Sequence, residues 1–361
     1  MTSDRVVNFS PGPATLPEPV LARVREDLPP RGETGASVME MSHRSSEYAE
    51  IHDGARDRLR RLLEIPESFE ILLLQGGASL QFSMAPMTLM GTRRSADYVV
   101  TGRWSRKAVA EARKHGAVRI AASTEHEEFR RIPDSDELDL DPTASYLHLT
   151  SNNTVVGTQW RGFPEARAPL VADMSSDILS RPVPWDRFGL AYAGAQKNLG
   201  PAGVTVVVLR KELLDRAPDD LPTMLDYRIH AEKDSRYNTP PTFPIYVLGL
   251  VLEWVDDRGG LEAMERRARQ RSEILYQRLD ESDFYRGTVE PGSRSRMNVT
   301  FRLPSQELEE EFLAAAEDAG MVNLKGHRSV GGIRASLYNA MSREGVERLA
   351  GLMEEFQADH G

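Results

Sequence analysis

The sequence predicts an α/β protein with a large domain, whose mostly parallel sheet is flanked by helices, and a smaller C-terminal α/β domain. Three observations predict this. The chain has 361 residues, more than the roughly 100–200 that usually share one core. Between residues 69 and 210, short apolar runs alternate with helical stretches or with loops of crossover length, the pattern of a parallel sheet. After a break at 256–260, a second and shorter series of strands and helices follows. The expected division is an N-terminal segment 1–17 packing with the small domain or the active site, a large domain 18–257 and a small domain 258–361.

In chain order, Tyr48, Ile51, Ala55, Leu59, Leu62 and Leu63 recur at helical spacing, with Arg56, Arg58, Arg60 and Arg61 mostly on the other faces. This is an amphipathic helix with one solvated side. Strand Phe69–Leu74 precedes a helix at 80–90, and strand 98–101 precedes a helix at 104–115. Runs at 118–122, 146–149, 170–173, 190–193 and 204–209 complete the expected sheet. Helices at 245–255 and 261–279 are separated by Asp256-Asp257-Arg258-Gly259-Gly260, whose glycines are a helix-stop signal. The remainder reads as strand 297–301, helix 306–319 stopped at Gly320, strand 332–336 and helix 343–356. Ligands of parallel sheets bind beyond the carboxyl ends of the strands, so residues just after these runs are the first candidates for chemistry.

Composition narrows the function. With 40% hydrophobic and 28% charged residues, the chain reads as a soluble globular protein. Its longest apolar runs fall far short of the ~20 residues that span a bilayer, and the N-terminus lacks a basic-then-apolar signal pattern, so a cytoplasmic location is expected. The absence of cysteine removes disulfides, thiolate metal sites and cysteine nucleophiles; no metal is expected. A net charge of −10 argues against nucleic-acid or anionic-membrane partners. An anionic substrate must then be met by a local basic cluster.

Lys197 lies in the small-residue loop Ala193-Gly194-Ala195-Gln196-Lys197-Asn198-Leu199-Gly200 between two apolar runs. A lysine that forms a Schiff base must approach a planar ring and lose its proton, and small neighbours with little water serve both needs. Alone, the motif is equally that of a surface loop lysine. Asp173 ends the preceding run but one, where an acid could keep a pyridine nitrogen protonated; alone, such a residue is more often a cap or turn former. Gly76-Gly77-Ala78-Ser79 opens a helix directly after a strand, which suits a phosphate dianion. Trp104 could stack on a ring and Thr154 could bond its hydroxyl, although a tryptophan is more often core. Basic groups gather at His43-Arg44, His327-Arg328 and Arg334, and arginine pairs bidentately with carboxylate or phosphate.

These residues stand in a series of motifs that resembles the phosphoserine aminotransferases, class V members of the fold-type I pyridoxal-phosphate (PLP) enzymes. The motifs run nearly end to end: Asn8-Phe9-Ser10-Pro11-Gly12-Pro13, Ser42-His43-Arg44, Gly76-Gly77-Ala78-Ser79-Leu80-Gln81-Phe82, Ala172-Asp173-Met174-Ser175-Ser176, Gly194-Ala195-Gln196-Lys197-Asn198, Tyr237-Asn238-Thr239-Pro240-Pro241 and Lys325-Gly326-His327-Arg328 through Arg334-Ala335-Ser336. The resemblance implies pyridoxal 5'-phosphate held as an internal aldimine on Lys197. Asp173 would pair with the ring nitrogen, Trp104 would stack and Thr154 would contact the ring hydroxyl. Ala78, Ser79 and Gln196 would hold the phosphate with Asn238 and Thr239 of a second subunit, so the active sites of a homodimer would be shared. Arg334 would take the substrate α-carboxylate, and His43, Arg44, His327 and Arg328 the substrate phosphate or the glutamate side-chain carboxylate. Two departures are visible: Ala78-Ser79 stands where some relatives carry Gly-Arg, and Pro11 where some carry serine.

The implied reaction moves the amino group of L-glutamate to 3-phosphohydroxypyruvate by a ping-pong route, a step of serine biosynthesis. The phosphohydroxythreonine step of pyridoxine biosynthesis is left open, because both acceptors share a phosphate and a keto acid. The nearest rival acts on alanine or serine with glyoxylate and needs no phosphate-binding pairs. A cysteine desulfurase is excluded by the missing cysteine. A PLP-binding protein that has lost catalysis would lack the lysine, the aspartate or the substrate arginine, and all three are present.

Overall fold

The computed structural model describes residues 5–30, 35–91 and 95–361. Residues 1–4 of the expected N-terminal segment, and 31–34 and 92–94 of the expected large domain, lie outside them. In chain order the elements are β1 (Val7–Asn8), α1 (Glu18–Asp27), α2 (Ser46–Leu62), β2 (Phe69–Leu74), α3 (Gly77–Leu89), β3 (Ser95–Val100), α4 (Arg103–Ala112) and β4 (Ala117–Ser123). Then come β5 (Leu147–Thr150), β6 (Asn152–Asn153), β7 (Thr158–Gln159), β8 (Leu170–Asp173), β9 (Phe188–Gly194), β10 (Thr205–Arg210), α5 (Tyr227–Glu232), α6 (Thr242–Asp257) and α7 (Gly260–Asp280). The chain closes with β11 (Arg286–Gly287), β12 (Asn298–Arg302), α8 (Gln306–Asp318), β13 (Met321–Val322), β14 (Ile333–Ser336) and α9 (Arg343–His360).

Seven strands form the main sheet in the order β2-β10-β9-β8-β5-β3-β4. Pairing is parallel from β9 through β4, while β10 runs antiparallel to both β2 and β9. The physical reason is the short loop between β9 and β10, which can return antiparallel but cannot make a crossover of a dozen or more residues. That loop carries Lys197. The sheet is apolar on both faces because helices cover both. Leu59, Ile71, Leu73, Val206, Val208, Leu248 and Leu252 share one core, which places α2 and α6 on one side. Leu72, Leu74, Phe82, Met84, Val109, Val207 and Leu209 share the other, against α3 and α4.

Helix α3 begins three residues earlier than the apolar pattern indicates. Gly76 and Gly77 take left-handed φ values of 86° and 64°, so the chain leaves β2 and enters the helix within one turn. A Cβ on Gly76 would sit 2.6 Å from Leu80 Cδ2, which excludes any larger residue there. Ala78 and Ser79 therefore lie in the first helical turn rather than before it.

In the C-terminal part, β11-β12-β14 form an antiparallel sheet packed with α7, α8 and α9 around Phe301, Phe312, Leu349 and Met353. Strand β1 pairs in parallel with β13, which fastens the start of the chain to this unit. Side chains join it to the main sheet as well. Asn152 Nδ2 donates to Asn298 Oδ1 at 2.8 Å, Asn298 Nδ2 donates to Ser336 Oγ at 3.1 Å, and Thr300 Oγ1 donates to Val156 O at 2.9 Å. Among the described residues no helix is long and apolar enough to cross a membrane.

Candidate active site

The neighbouring carboxyl ends of β8 and β9 build the centre of the site. Asp173 is the last residue of β8, paired in register with Tyr192 of β9, and Lys197 follows β9 in the loop to β10. Lys197 Nζ donates to Thr154 Oγ1 at 2.7 Å, and Thr154 sits in the tight connection between β6 and β7. Burial, opposed by the attraction of Asp173 and helped by the nearby Arg334 charge, lowers the Lys197 ammonium to about 8. A lysine so placed is partly neutral near physiological pH, as an amine nucleophile and proton carrier must be.

Asp173 is buried, and burial raises its pKa against the hydrogen bonds of Ser175 and the charge of Lys197. Both of its hydrogen bonds fall on Oδ1, from Ser175 N at 3.0 Å and Ser175 Oγ at 2.6 Å. Oδ2 is left without a partner among the described residues. Ser175 Oγ also accepts from Gly194 N at 3.1 Å, so one hydroxyl ties Asp173 to the strand that delivers Lys197. Sequence reasoning assigned Ser175 no role, although it stands two residues past the acid in the position of an Asx-type turn. Ser175→Ala is expected to raise the Asp173 pKa and lower kcat/KM by about tenfold, the worth of one charge-assisted bond. The acid limb of the pH–rate profile should move upward; an unmoved limb would show that Ser175 is only packing.

The N-terminal segment lies over the Lys197 loop. Ala14 N donates to Gln196 O at 2.8 Å, and Tyr338 OH donates to Pro11 O at 2.9 Å. A Cβ on Gly12 would stand 3.4 Å from Lys197 Cγ. Across the loop, a Cβ on Gly194 would stand 3.8 Å from Ala78 N and 3.9 Å from Ser175 Oγ. The free amides at the start of α3 thus open beside the exit of β9, with Ser79 exposed and Gln196 half-buried.

Trp104 enters with the first turn of α4, which Ser105 Oγ fixes by accepting from Thr101 N and Gly102 N at 3.0 and 3.1 Å. Lys107 Nζ lies 4.8 Å from the centre of the Trp104 ring. Arg334, in the middle of β14, is 6% exposed, and its Nε meets no partner among the described residues. Arg103 and Arg334 line one cleft of about 600 Å³. His327, whose Nδ1 is 2.7 Å from Ser329 Oγ, is lowered in pKa by burial and then by Arg103, Arg334, Arg328 and Lys107. Sequence reasoning missed Arg103 and Lys107. Their signal was the four-residue spacing that puts two cations on one helix face beside Trp104.

The other expected residues, His43, Arg44, Asn238 and Thr239, make no hydrogen bond or ion pair to Lys197 among the described residues. His43 and Arg44 precede α2, and His43 Nε2 is buried and unpartnered among the described residues. No hydrogen bond or ion pair among those residues joins this pair to His327 and Arg328. Asn238 and Thr239 are exposed, and Gln75 Nε2 donates to Thr239 O at 3.2 Å. Nothing of the same kind links Asn238 or Thr239 to Lys197 of the same chain.

A planar pyridinium with a phosphate arm fits this cradle. The buried Asp173 offers an unengaged oxygen, Gly12 and Gly194 leave room that a Cβ would fill, and the start of α3 offers backbone amides to a dianion.

The aminotransferase class-V family model matches residues 6–349. The phosphoserine aminotransferase of Geobacillus kaustophilus (strain HTA426) is 56% identical over 354 residues, 98% of each chain. The solved phosphoserine aminotransferase of Bacillus circulans subsp. alkalophilus superposes with a TM-score of 0.97 at 49% identity, over 99% of this chain and 100% of that one. The PLP-bound phosphoserine aminotransferase of Trichomonas vaginalis does so with a TM-score of 0.93 at 37% identity, over 97% and 100%. The chain therefore belongs to the phosphoserine aminotransferase family of class-V aminotransferases.

Proposed function

We propose that the protein transfers the amino group of L-glutamate to 3-phosphohydroxypyruvate, reversibly giving O-phospho-L-serine and 2-oxoglutarate. The observation that carries this reading is a cationic cluster in a chain of charge −10. Arg103, Lys107, Arg328 and Arg334 surround His327, and none of the four forms an ion pair among the described residues. Unpaired cations at a cleft are costly unless an anionic ligand completes them. The names of the family members, and the PLP-bound member among them, point to the same substrate class and cofactor.

Pyridoxal phosphate, when bound, supplies the carbonyl that exchanges with amino groups and a ring that accepts electron density from the substrate Cα. Lys197 would hold it covalently and, as a free amine, carry the proton between substrate carbon and cofactor. Asp173 would keep the ring nitrogen protonated, Thr154 would orient the Lys197 amine and bond the ring hydroxyl, and Trp104 would cover the ring. Ala78, Ser79 and Gln196 would hold the phosphate, with Asn238 and Thr239 arriving from the second subunit of a homodimer. Arg334 would clamp the α-carboxylate, while His43, Arg44, His327 and Arg328 would receive the distal phosphate or carboxylate. On this reading residues 18–257 hold the cofactor, and residues 258–361 form the smaller domain that brings Arg334. Two-substrate kinetics should give the parallel lines of a double displacement.

Two measurements check the proposal. With 2-oxoglutarate as acceptor, O-phosphoserine should exceed alanine and serine in kcat/KM by about 10²-fold, the worth of a few charge-assisted bonds; equal rates would overturn it. Arg334→Met should raise KM for glutamate and for O-phosphoserine by about 10- to 100-fold with a smaller change in kcat. The same change should raise the Tm of the substrate-free protein, because it removes a buried and unpaired charge.

A further inference from the structure

A second basic cavity, sharing no lining residue with the Arg103–Arg334 cleft, lies where the N-terminal segment meets the C-terminal unit. Its volume is about 940 Å³, and its walls come from β1, the start of α1, the junction of α6 with α7, and the residues leading into α9. Six arginines line it against two glutamates. One of those glutamates, Glu18, is already near Arg5 at 3.8 Å.

The arrangement of the arginines is what needs an explanation. Arg267 and Arg271 stand four residues apart on α7, hence on one face, where like charges repel. Arg271 is 3% exposed. Its Nη1 donates to Asn339 O at 2.9 Å and to Met341 O at 2.6 Å, while Nε and Nη2 meet no partner among the described residues. Burial, with the Arg267 charge added, pushes Arg271 down to about 10. Arg267 is lowered by burial and then by Arg258 and Arg266. None of Arg258, Arg267 and Arg271 forms an ion pair among the described residues. The cavity also receives the N-terminal turn of α9, an 18-residue helix, whose dipole adds positive potential. Ser342 Oγ satisfies Gly345 N at 2.9 Å, leaving earlier amides of that turn without a helical partner.

We infer that this cavity is an anion-binding site separate from the catalytic one, for a small organic or inorganic polyanion carrying phosphate or carboxylate groups. Such a ligand supplies the counter-charge that Arg258, Arg267 and Arg271 lack. The wall is not isolated from the chemistry. Asn339, whose carbonyl Arg271 holds, donates from its backbone N to Asn198 Oδ1 at 2.9 Å, and Asn198 adjoins Lys197.

Titration calorimetry on the PLP-loaded Arg334→Ala protein, whose substrate arginine is removed, tests the inference with pyrophosphate and, separately, citrate. The expected result is one anion bound per chain, weakened at least about tenfold when Arg267→Ala is added. Arg271→Met should weaken it similarly, and because that variant removes a buried group its fold is checked by near-UV circular dichroism. Arg267→Ala decides alone if Arg271→Met does not fold. Preference for one probe reports whether phosphate or carboxylate is the better group, and either preference supports the site. Binding of neither probe, or binding unchanged by Arg267→Ala, would overturn it.

Discussion

Lys197→Ala is expected to lower kcat for O-phosphoserine with 2-oxoglutarate by about 10⁴-fold, the upper range for loss of a positioned proton carrier, and to remove the proposed covalent hold on the cofactor. The substitution removes an amine whose surroundings are arranged for it: Thr154 Oγ1 at 2.7 Å, the Gly12 backbone against its stem and burial that brings its pKa to about 8. Stopped-flow or coupled assays check the rate, and added primary amines should restore part of it because the cavity left by the side chain is open to a small base. A consequence appears in the stability of the cofactor-free protein. The unfolded lysine titrates near its ordinary 10.5 and the folded one near 8, so the folded state carries the full penalty of a buried charge below about pH 8. That penalty is relieved as pH rises toward 10.5. Lys197→Met should therefore raise Tm at neutral pH, with the gain over wild type shrinking as pH rises through that window.

Asp173→Asn is expected to cost about 10³-fold in kcat/KM, in the range for removing one partner of a buried charged pair. Asparagine keeps the shape and still accepts from Ser175, but it cannot hold a proton on a ring nitrogen by charge. Circular dichroism should show an unchanged fold, so the loss separates electrostatics from packing. The two substitutions act on one centre, and their effects should combine to much less than the product of the two.

The main sheet was legible because β2, β8, β9 and β10 are largely apolar runs, and the sequence pointed to the centre of the candidate site because Asp173 ends β8 and Lys197 lies just past β9, although either residue alone reads equally as a turn or surface residue. The reversed direction of β10 was not, since an apolar run carries no sign of its direction; the loop length before it does. The pairing of Val7–Asn8 with Met321–Val322 was illegible because two residues cannot display an alternation. The Asn152–Asn298–Ser336 chain joins residues remote in sequence and leaves no local pattern. Ser175, Arg103 and Lys107 are ordinary as single residues, and only the folded chain shows what they face. The two His-Arg pairs read as one basic patch in the sequence, yet no hydrogen bond or ion pair among the described residues joins them, since groups of like charge meet only through an anion between them.

The most direct test of the account is borohydride reduction of the PLP-loaded protein followed by proteolysis and mass spectrometry. The reduced cofactor should be fixed to the peptide containing Lys197, in about one copy per chain, and O-phosphoserine added beforehand should reduce the labelling. Label on a different lysine, or no label on a protein that still transaminates, would contradict it.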